Sequence, residues 1–244
     1  MPPVIILAGG KGTRLAPVVN DRPKILALIN GMPFLDYQMS LLKKQYFSKV
    51  CFSLGFKAQM VIDYLPKFRS IFNAIDFVVE EDFLGTAGGV AHCLLNSSMF
   101  EGEPLNCQEI VVINGDSWVT ADLMSFVAKA RQVESEISMC AIRVDDVSRY
   151  GLLDIDKETS TVVCFNEKDP TKVGESGWIN AGVYYFRGSA LAKLASYNEG
   201  SLELDFFMGI GLGGIYAYQC DADFVDIGMP ESYQLAVKII KPVE

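Results

Sequence analysis

The sequence predicts an α/β fold, a Rossmann-like mixed, mostly parallel sheet flanked by helices. The first observation is that short apolar, β-branched runs alternate with amphipathic segments up to residue 144, a rhythm typical of parallel βαβ units. The second is the glycine-rich stretch LAGGKGTRL, residues 7 to 15, directly after the first apolar run. The third is EIVVINGD, where the turn-forming residues Asn-Gly-Asp follow a buried strand pattern.

The elements up to residue 144 follow from periodicity and composition. Strands are predicted at PPVIILA, KVCFSLGF, AIDFVVEE, EIVVINGD and EISMCAIRV. Helices are predicted at PFLDYQMSLLKKQY, at MVIDYLPKF with its end at Pro66, at TAGGVAHCLLNSS after a glycine turn, and at ADLMSFVAKARQVE. Because helices separate successive strands, we expect most strands to run parallel, with helices on both faces.

The pattern changes after residue 144, where short strands follow one another with few helices between them. These strands are predicted at GLLDID, TVVCFNEK, WINAGVYYF, IYAYQC and DFVDIG, before a closing helix at ESYQLAVKII. We expect this part to extend the sheet and to cover a substrate. No repeat or linker interrupts the chain, so residues 1–244 are predicted to form one domain with halves of about 1–135 and 136–244.

Composition and charge restrict the class of partner. The chain has 244 residues, of which 50% are hydrophobic and 21% charged, so it can bury a sizeable core. Its formal net charge of −9 disfavours nucleic acid and anionic membranes as partners. No apolar stretch reaches the roughly 18 residues of a membrane span, and no basic segment precedes the first apolar run as in a signal peptide. We therefore expect a cytoplasmic protein.

Cysteine and histidine offer little for metal or nucleophilic chemistry. Cysteines lie at positions 51, 93, 107, 140, 164 and 220, none at C-x-x-C spacing and most in apolar segments, which predicts reduced, buried thiols. His92 is the only histidine, so the sequence offers too few suitable residues for a zinc site or a Ser-His-Asp triad. We expect His92 to be an ordinary helix residue.

The stretch LAGGKGTRL has the composition of a phosphate-binding loop. Glycines let backbone N–H groups approach an anion, and a following helix N-terminus would add its dipole. The dinucleotide fingerprint G-x-G-x-x-G does not fit, because Leu15 stands at its third glycine position. The ATP-binding P-loop is absent as well. The nearby cations Lys11, Arg14 and Lys24 suit a triphosphate or a leaving pyrophosphate.

The motif L-A-G-G-x-G-T-R-L, followed about ten residues later by P-K-x-L, resembles the signature of the sugar-1-phosphate nucleotidylyltransferases. The resemblance continues over nearly the full length, at LGTAGG (84–89), NGD (114–116), FNEK (165–168), WINAGVYYF (178–186) and VDIGMP (225–230). It implies that a sugar 1-phosphate oxygen attacks the α-phosphorus of a nucleoside triphosphate, so that pyrophosphate leaves and a nucleotide-sugar forms. The N-terminal half would bind the nucleotide and the C-terminal half the sugar.

The resemblance also implies roles for individual residues. Arg14, Lys24 and Asp116 would be catalytic, Arg14 holding the β- and γ-phosphates and Lys24 stabilising charge near the α-phosphate. Nucleotide binding is implied for Leu7, Ala8, Gly9, Gly10, Lys11, Gly12, Thr13, Arg14, Glu80, Gly85 and Thr86. Sugar-phosphate binding is implied for Gly151, Glu167, Lys168, Asn180 and Gly182. Asp116 and Asp226 would hold Mg²⁺, because magnesium commonly takes one or two carboxylates together with phosphate oxygens.

The base and the sugar follow from finer features. Glu80 favours guanine, since a carboxylate only accepts hydrogen bonds and guanine offers two adjacent donors, although uridylyltransferases of this family can also carry Glu here. The segments DRPKILA, NGMPFL, GWINAGVY and SLELDFF resemble the D-glycero-D-manno-heptose 1-phosphate guanylyltransferases. The implied substrates are GTP and that heptose phosphate, for capsule, lipopolysaccharide or S-layer glycans. Three alternatives stay open: a mannose 1-phosphate guanylyltransferase, an enzyme for N-acetylmuramate 1-phosphate with UTP, and another sugar-1-phosphate uridylyl-, cytidylyl- or thymidylyltransferase.

Two readings from other classes stay open. A glycosyltransferase would share a nucleotide-binding sheet, but it often uses a D-x-D motif, whereas the acidic site here is NGDSW. A non-catalytic regulatory subunit usually lacks the lysine or an aspartate, yet Lys24, Asp116 and Asp226 are all present. Met229 stands where the family usually has Thr. Relatives are commonly oligomers, so a homo-oligomer is also implied.

Overall fold

The computed structural model describes residues 1–100, 108–166 and 171–241. The strands are β1 (Val4–Ala8), β2 (Leu28–Ile29), β3 (Met32–Pro33), β4 (Lys49–Leu54), β5 (Ala74–Val79), β6 (Glu109–Asn114), β7 (Ser117–Val119), β8 (Ile137–Val144), β9 (Leu152–Ile155), β10 (Val162–Asn166), β11 (Gly177–Arg187), β12 (Ile215–Cys220) and β13 (Phe224–Asp226). The α-helices are α1 (Phe34–Lys44), α2 (Ala58–Tyr64), α3 (Gly85–Asn96), α4 (Leu123–Gln132), α5 (Gly188–Ala195), α6 (Met208–Ile210) and α7 (Pro230–Ile239). A π-helical turn, Leu202–Phe207, leads into α6, and 3-10 turns lie at Lys24–Leu26, Leu65–Phe68, Ser98–Phe100 and Leu212–Gly214.

One central sheet carries the fold, in the order β5-β4-β1-β6-β11-β8-β12, with β9 and β10 attached beside the start of β11. Strands β5, β4, β1 and β6 are parallel to one another, whereas β11 is antiparallel to both β6 and β8. The predicted Rossmann-like mixed, mostly parallel sheet flanked by helices is confirmed.

The strands are apolar on both faces because helices cover both faces. Along β1, the side chains of Val4 and Ile6 join a core that includes residues of α1, α2 and α4. The side chain of Ile5 points to the opposite face, into a second core that includes residues of α3 and α5. All three side chains are fully buried. This burial explains why the first strand reads as a continuous apolar run.

The position of β11 differs from the simplest reading of the sequence. The sequence predicts that the strands after residue 144 extend the sheet, whereas β11 lies inside it, between β6 and β8, and pairs with both. The sequence pattern orders elements along the chain and does not determine which strands become neighbours. A strand from the C-terminal half therefore occupies a central position in the sheet.

The segment after the glycine loop is the second difference. A helix N-terminus that would add its dipole to the glycine loop is absent there, and residues 13–18 make turns instead. The N–H groups of Leu15 and Ala16 both donate to the carbonyl of Gly12, at 3.0 and 3.1 Å. Pro17 disfavours helical geometry at the residue before it and has no N–H to donate. A helix dipole therefore does not contribute at this loop.

Among the described residues, Cys51, Cys93 and Cys140 are buried free thiols, while Cys164 and Cys220 are free but partly exposed. The prediction of buried thiols therefore holds for three of these five cysteines. Cys107 lies outside the described residues. His92 lies on α3, as expected. In the described parts of the chain, every helix is too short or too polar to cross a membrane.

Candidate active site

The carboxyl ends of β5, β4, β1 and β6 meet at one edge of the sheet and form a first pocket of about 270 Å³. Ligands of open α/β sheets bind at this edge. The pocket is lined by Leu7, Ala8, Gly9, Gly10, Arg14, Lys24, Ile25, Ser53, Glu80, Phe83, Gly85, Thr86, Asn114, Gly115 and Asp116. Most of the predicted nucleotide-binding residues are therefore together. Lys11, Gly12 and Thr13 do not line the pocket.

Gly12 has a different role, which the structure makes visible. Its φ angle is +63°, and a Cβ atom there would lie only 2.9 Å from Cγ of Lys24. A left-handed backbone and the missing side chain therefore let Lys24 pass across the loop. Lys11 and Thr13 are exposed on either side of Gly12.

Glu80 is a buried carboxylate in the wall of the first pocket. The hydroxyl of Ser53 donates to its Oε1, and the N–H of Leu84 donates to its Oε2 at 3.1 Å. These two donors orient the carboxylate from within the protein. Since each oxygen can accept more than one hydrogen bond, Glu80 keeps acceptor capacity for a ligand.

Lys24 and Asp116 form an ion pair in the same pocket. The Nζ of Lys24 lies 2.5 Å from Oδ2 of Asp116, and their side chains are only 20% and 27% exposed. Lys24 begins a 3-10 turn, and Asp116 comes two residues after the end of β6. An ammonium group has three donors, so Lys24 can hold Asp116 and contact a bound anion at once.

A second pocket of about 770 Å³ adjoins the first and shares Arg14, Asn114 and Asp116 with it. The second pocket is lined by Arg14, Asn114, Asp116, Ser117, Arg149, Tyr150, Gly151, Phe165, Asn166, Asn180, Gly182, Glu203, Leu204, Met208, Phe224, Asp226, Gly228, Met229 and Ser232. The predicted residues Gly151, Asn180, Gly182 and Asp226 lie here. Glu167 and Lys168 lie outside the described residues. The shared residues mark the place where two ligands would meet.

Asp116 and Asp226 converge across the β7–β13 pairing. The N–H of Ile227 donates to the carbonyl of Asp116 at 2.8 Å. A Cβ atom on Gly228 would lie 3.0 Å from Oδ1 of Asp226 and 3.6 Å from Oδ2 of Asp116, so both carboxylates face the same space. Two hard oxygen donors at the junction of the two pockets fit a divalent cation such as magnesium. Within the described residues, no three carboxylates, histidines or cysteines cluster as metal ligands.

The carboxylate of Asp226 is held in place by its own segment. The N–H of Gly228 donates to its Oδ1 at 2.9 Å, and the hydroxyl of buried Ser232 donates to the same atom at 3.2 Å. Tyr150 packs edge-to-face on Phe224 beside it, with the ring centroids 5.6 Å apart. Burial, together with the nearby charge of Asp226, raises the pKa of the Tyr150 phenol.

Asn180 belongs to a hydrogen-bonded chain in the second pocket. Its Oδ1 accepts the N–H of Gly182 at 2.9 Å, and its Nδ2 donates to the Tyr184 hydroxyl at 2.7 Å. That hydroxyl donates to Oε1 of Glu203 at 2.7 Å. Burial first, and then the charge of Glu203, raise the pKa of the fully buried Tyr184 well above its ordinary value. The phenol therefore stays protonated and remains a donor.

Several lining residues were not predicted from the sequence. Asn114 stands in the NGD motif, and its buried Oδ1 has no hydrogen-bond partner within the described residues. Arg149 and Tyr150 precede the predicted Gly151, and Glu203 lies in the SLELDFF segment. The sequence shows the motifs that contain these residues, but it gives no reason to assign a role to these particular side chains.

Comparisons with known proteins decide the family. A family model described as nucleotidyl transferase matches residues 3–241. The chain belongs to the nucleotidyl transferase family. It is 32% identical over 237 residues to the D-glycero-alpha-D-manno-heptose 1-phosphate guanylyltransferase of Campylobacter jejuni, covering 94% of this chain and 96% of the relative. It is 30% identical over 240 residues to the protein of the same name from Aneurinibacillus thermoaerophilus, covering 96% of each.

A solved structure is similar over the whole chain as well. HddC from Yersinia pseudotuberculosis, complexed with GMP-PN, superposes with a TM-score of 0.83 at 34% identity, covering 99% of this chain and 100% of that one. These comparisons confirm the predicted class, a sugar-1-phosphate nucleotidylyltransferase. Nucleotidyl transferases of this family generally use a divalent metal.

Proposed function

We propose that this enzyme transfers the guanylyl group of GTP to D-glycero-D-manno-heptose 1-phosphate, which releases pyrophosphate and forms a GDP-heptose. The observation that carries this proposal is the pair of adjoining pockets with Arg14, Asn114 and Asp116 at their junction. Two substrates held in this way would meet beside the charged residues. The similarity to the heptose 1-phosphate guanylyltransferases supports the choice of base and sugar.

The first pocket has the parts that a guanine nucleotide needs. The backbone at Gly9 and Gly10 gives close access to phosphates. Glu80, oriented by Ser53 and Leu84, would accept hydrogen bonds from N1–H and the 2-amino group of guanine. Lys11 and Thr13 are exposed and do not line the first pocket, so their roles stay predictions.

The reaction needs positioning and charge neutralisation more than acid–base chemistry. A phosphate oxygen of the sugar 1-phosphate attacks the α-phosphorus and forms the new P–O bond. The bond from that phosphorus to the oxygen bridging the β-phosphate breaks, and this oxygen leaves with pyrophosphate. Arg14 would hold the leaving pyrophosphate through its planar guanidinium. Lys24, fixed by Asp116, would stabilise the charge that develops at the α-phosphate.

Asp116 and Asp226 would hold the divalent cation, which we propose is Mg²⁺. When bound, the cation neutralises negative charge on the phosphates of the nucleotide. Lys24 also contacts Asp116, so this carboxylate would be shared between a protein cation and the metal. Sugar-phosphate contacts by Gly151, Asn180 and Gly182 complete the proposal, while Glu167 and Lys168 keep their implied roles as predictions.

The test is pyrophosphate release, measured with magnesium across ATP, GTP, CTP, UTP and dTTP. Each would be paired with heptose, mannose and N-acetylmuramate 1-phosphates. Release only with GTP and the heptose phosphate is expected. Release with another pair would support the enzyme class but refute the proposed substrates. Transfer of a sugar from a nucleotide-sugar, without pyrophosphate release, would instead support a glycosyltransferase. We further propose that the enzyme acts in the cytoplasm, and assembly as a homo-oligomer stays a prediction.

A further inference from the structure

The segment SLELDFF, residues 201–207, forms one wall of the second pocket. Ser201 caps its π-helical turn, since its hydroxyl accepts the N–H groups of Glu203 and Leu204 at 3.1 and 3.2 Å. The side chains of Leu202, Phe206 and Phe207 are fully buried and anchor the segment in the core. Glu203 and Leu204 line the pocket instead. The wall is thus anchored in the core, and π-helical turns are frequent at functional sites.

Glu203 is a half-buried carboxylate whose partners are hydroxyl groups. Its Oε1 accepts the Tyr184 hydroxyl at 2.7 Å, and its Oε2 accepts the Ser201 hydroxyl at 2.9 Å. The hydroxyl of Thr86 approaches Oε2 at 3.5 Å. None of the ion pairs formed by residues 1–100, 108–166 and 171–241 involves Glu203. A carboxylate has about four acceptor positions, so at least one stays available to a ligand.

Thr86 connects this carboxylate to the first pocket, which Thr86 itself lines. Its hydroxyl accepts the N–H of Leu202 at 2.7 Å. Beside it, the N–H of Ala87 donates to the carbonyl of Gly200, and the N–H of Gly200 donates to the carbonyl of Leu84, both at 2.8 Å. The wall of the second pocket is therefore docked on a loop of the first, and this contact fixes the position of Glu203.

We propose that Glu203 determines sugar specificity by accepting a hydrogen bond from one hydroxyl of the sugar 1-phosphate. Tyr184 and Ser201 are the positioning residues, because their hydroxyls donate to the carboxylate and neither side chain lines a pocket. The inference rests on the proposed function, since it requires a sugar phosphate in the second pocket. A sugar hydroxyl is the donor that fits, because the carboxylate is held by hydroxyl groups and none of the described ion pairs includes it.

The first test is the substitution Glu203→Gln, which keeps the shape of the side chain and can still accept from Tyr184. We expect the KM for the sugar 1-phosphate to rise about 10- to 100-fold, the usual range for losing a hydrogen bond to a charged group. The KM for the nucleotide should change less than about twofold. Glu199→Gln, an exposed position nearby, is the matched control and should match the wild-type enzyme.

A structural role must be separated from a binding role. Asp205 accepts the N–H of Ser201 at 2.6 Å and supports the same turn without lining the pocket. Asp205→Asn should therefore leave the KM for the sugar 1-phosphate near that of the wild type. If Asp205→Asn raises this KM as much as Glu203→Gln does, the effect comes from loosening of the turn, and the proposal is overturned.

The second test compares sugar 1-phosphates that each lack one hydroxyl. With the wild-type enzyme, one of these analogues should have a kcat/KM below that of the complete sugar 1-phosphate by about the factor that Glu203→Gln causes. With the Glu203→Gln variant, the same analogue and the complete sugar 1-phosphate should have nearly equal kcat/KM values. If no analogue shows this convergence, Glu203 does not contact a sugar hydroxyl. If no substrate pair releases pyrophosphate, the proposed function fails separately, and calorimetry with heptose 1-phosphate then tests Glu203 alone. Weaker binding to Glu203→Gln supports the contact; equal affinity, or binding to neither protein, overturns it.

Discussion

The substitution Gly182→Ala tests the junction of the two pockets. Gly182 has a φ angle of +70°, and a Cβ atom there would lie 2.6 Å from Nδ2 of Asn114. Its N–H also donates to Asn180 at 2.9 Å. An alanine would therefore be strained in its backbone, and the Asn114 side chain would have to move away from the new Cβ atom.

The expected loss of stability is the sum of two costs, the backbone strain at position 182 and the steric overlap with Asn114. A non-glycine residue in the left-handed region costs about 1–2 kcal/mol. Overpacking in a well-packed site costs about 1–3 kcal/mol more. We therefore expect Gly182→Ala to lower the free energy of unfolding by about 2–5 kcal/mol. For a protein of this size, each kcal/mol shifts Tm by about 2–4 °C, so the Tm should fall by roughly 4–20 °C.

The assay is thermal and urea unfolding, together with kcat/KM for pyrophosphate release. Gly213→Ala is the matched control, because a Cβ atom on Gly213 would meet nothing within 4 Å. Its free energy of unfolding should stay within about 0.5 kcal/mol of the wild type. If Gly182→Ala keeps both the wild-type Tm and the wild-type kcat/KM, the close approach of Gly182 to Asn114 is wrong.

Four further predictions follow from the site and its surroundings. Lys24→Ala should reduce pyrophosphate release at least about 100-fold with the far-UV circular dichroism unchanged, and retained turnover would refute its role. Glu80→Gln should weaken the preference for GTP over ATP, measured as a ratio of kcat/KM, and an unchanged ratio would exclude Glu80 from base recognition. Chelation with EDTA should stop release and added magnesium should restore it; full activity in EDTA would argue against a divalent cation. The hydrogen bond from Arg131 holds the pKa of Glu109 below its ordinary value of 4.5. The ionised Glu109 therefore stabilises the folded protein fully above pH 4.5, and this contribution is lost as the pH falls through the lowered pKa. Urea titrations from pH 6 to pH 3.5 should therefore show a smaller loss of stability in Glu109→Gln than in the wild type, and parallel losses would contradict this assignment.

The sequence predicts the elements of this fold well where local patterns decide the outcome. The apolar run at Val4–Ala8 marks a strand buried on both faces, and the Asn-Gly-Asp turn marks the end of β6. Non-local pairing is harder, because nothing in the composition of β11 shows that it lies between β6 and β8. The turns after Gly12 could have been expected from Pro17, since proline disfavours a helix at that point.

The candidate site shows the same division. Glu80 and Asp226 were predicted from the resemblance to the family's motifs, and the structure brings both to the pockets. Glu203 was not predicted, because its meaning depends on Tyr184 and on Thr86, which lies 117 positions away along the chain. Contacts over such distances depend on how the elements pack, and one sequence read locally does not contain them.

The central position of β11 has a consequence for synthesis of the chain on the ribosome. Strands β1, β4, β5 and β6 emerge first, but the open edge of β6 gains its partner only when residues 183–187 have been made. Until then, the apolar Ile110, Val111 and Val112 lie on a strand with an unpaired edge, a state that favours aggregation. A fragment ending at residue 135 would keep this edge exposed, so the N-terminal half alone should aggregate when it is expressed without the C-terminal half.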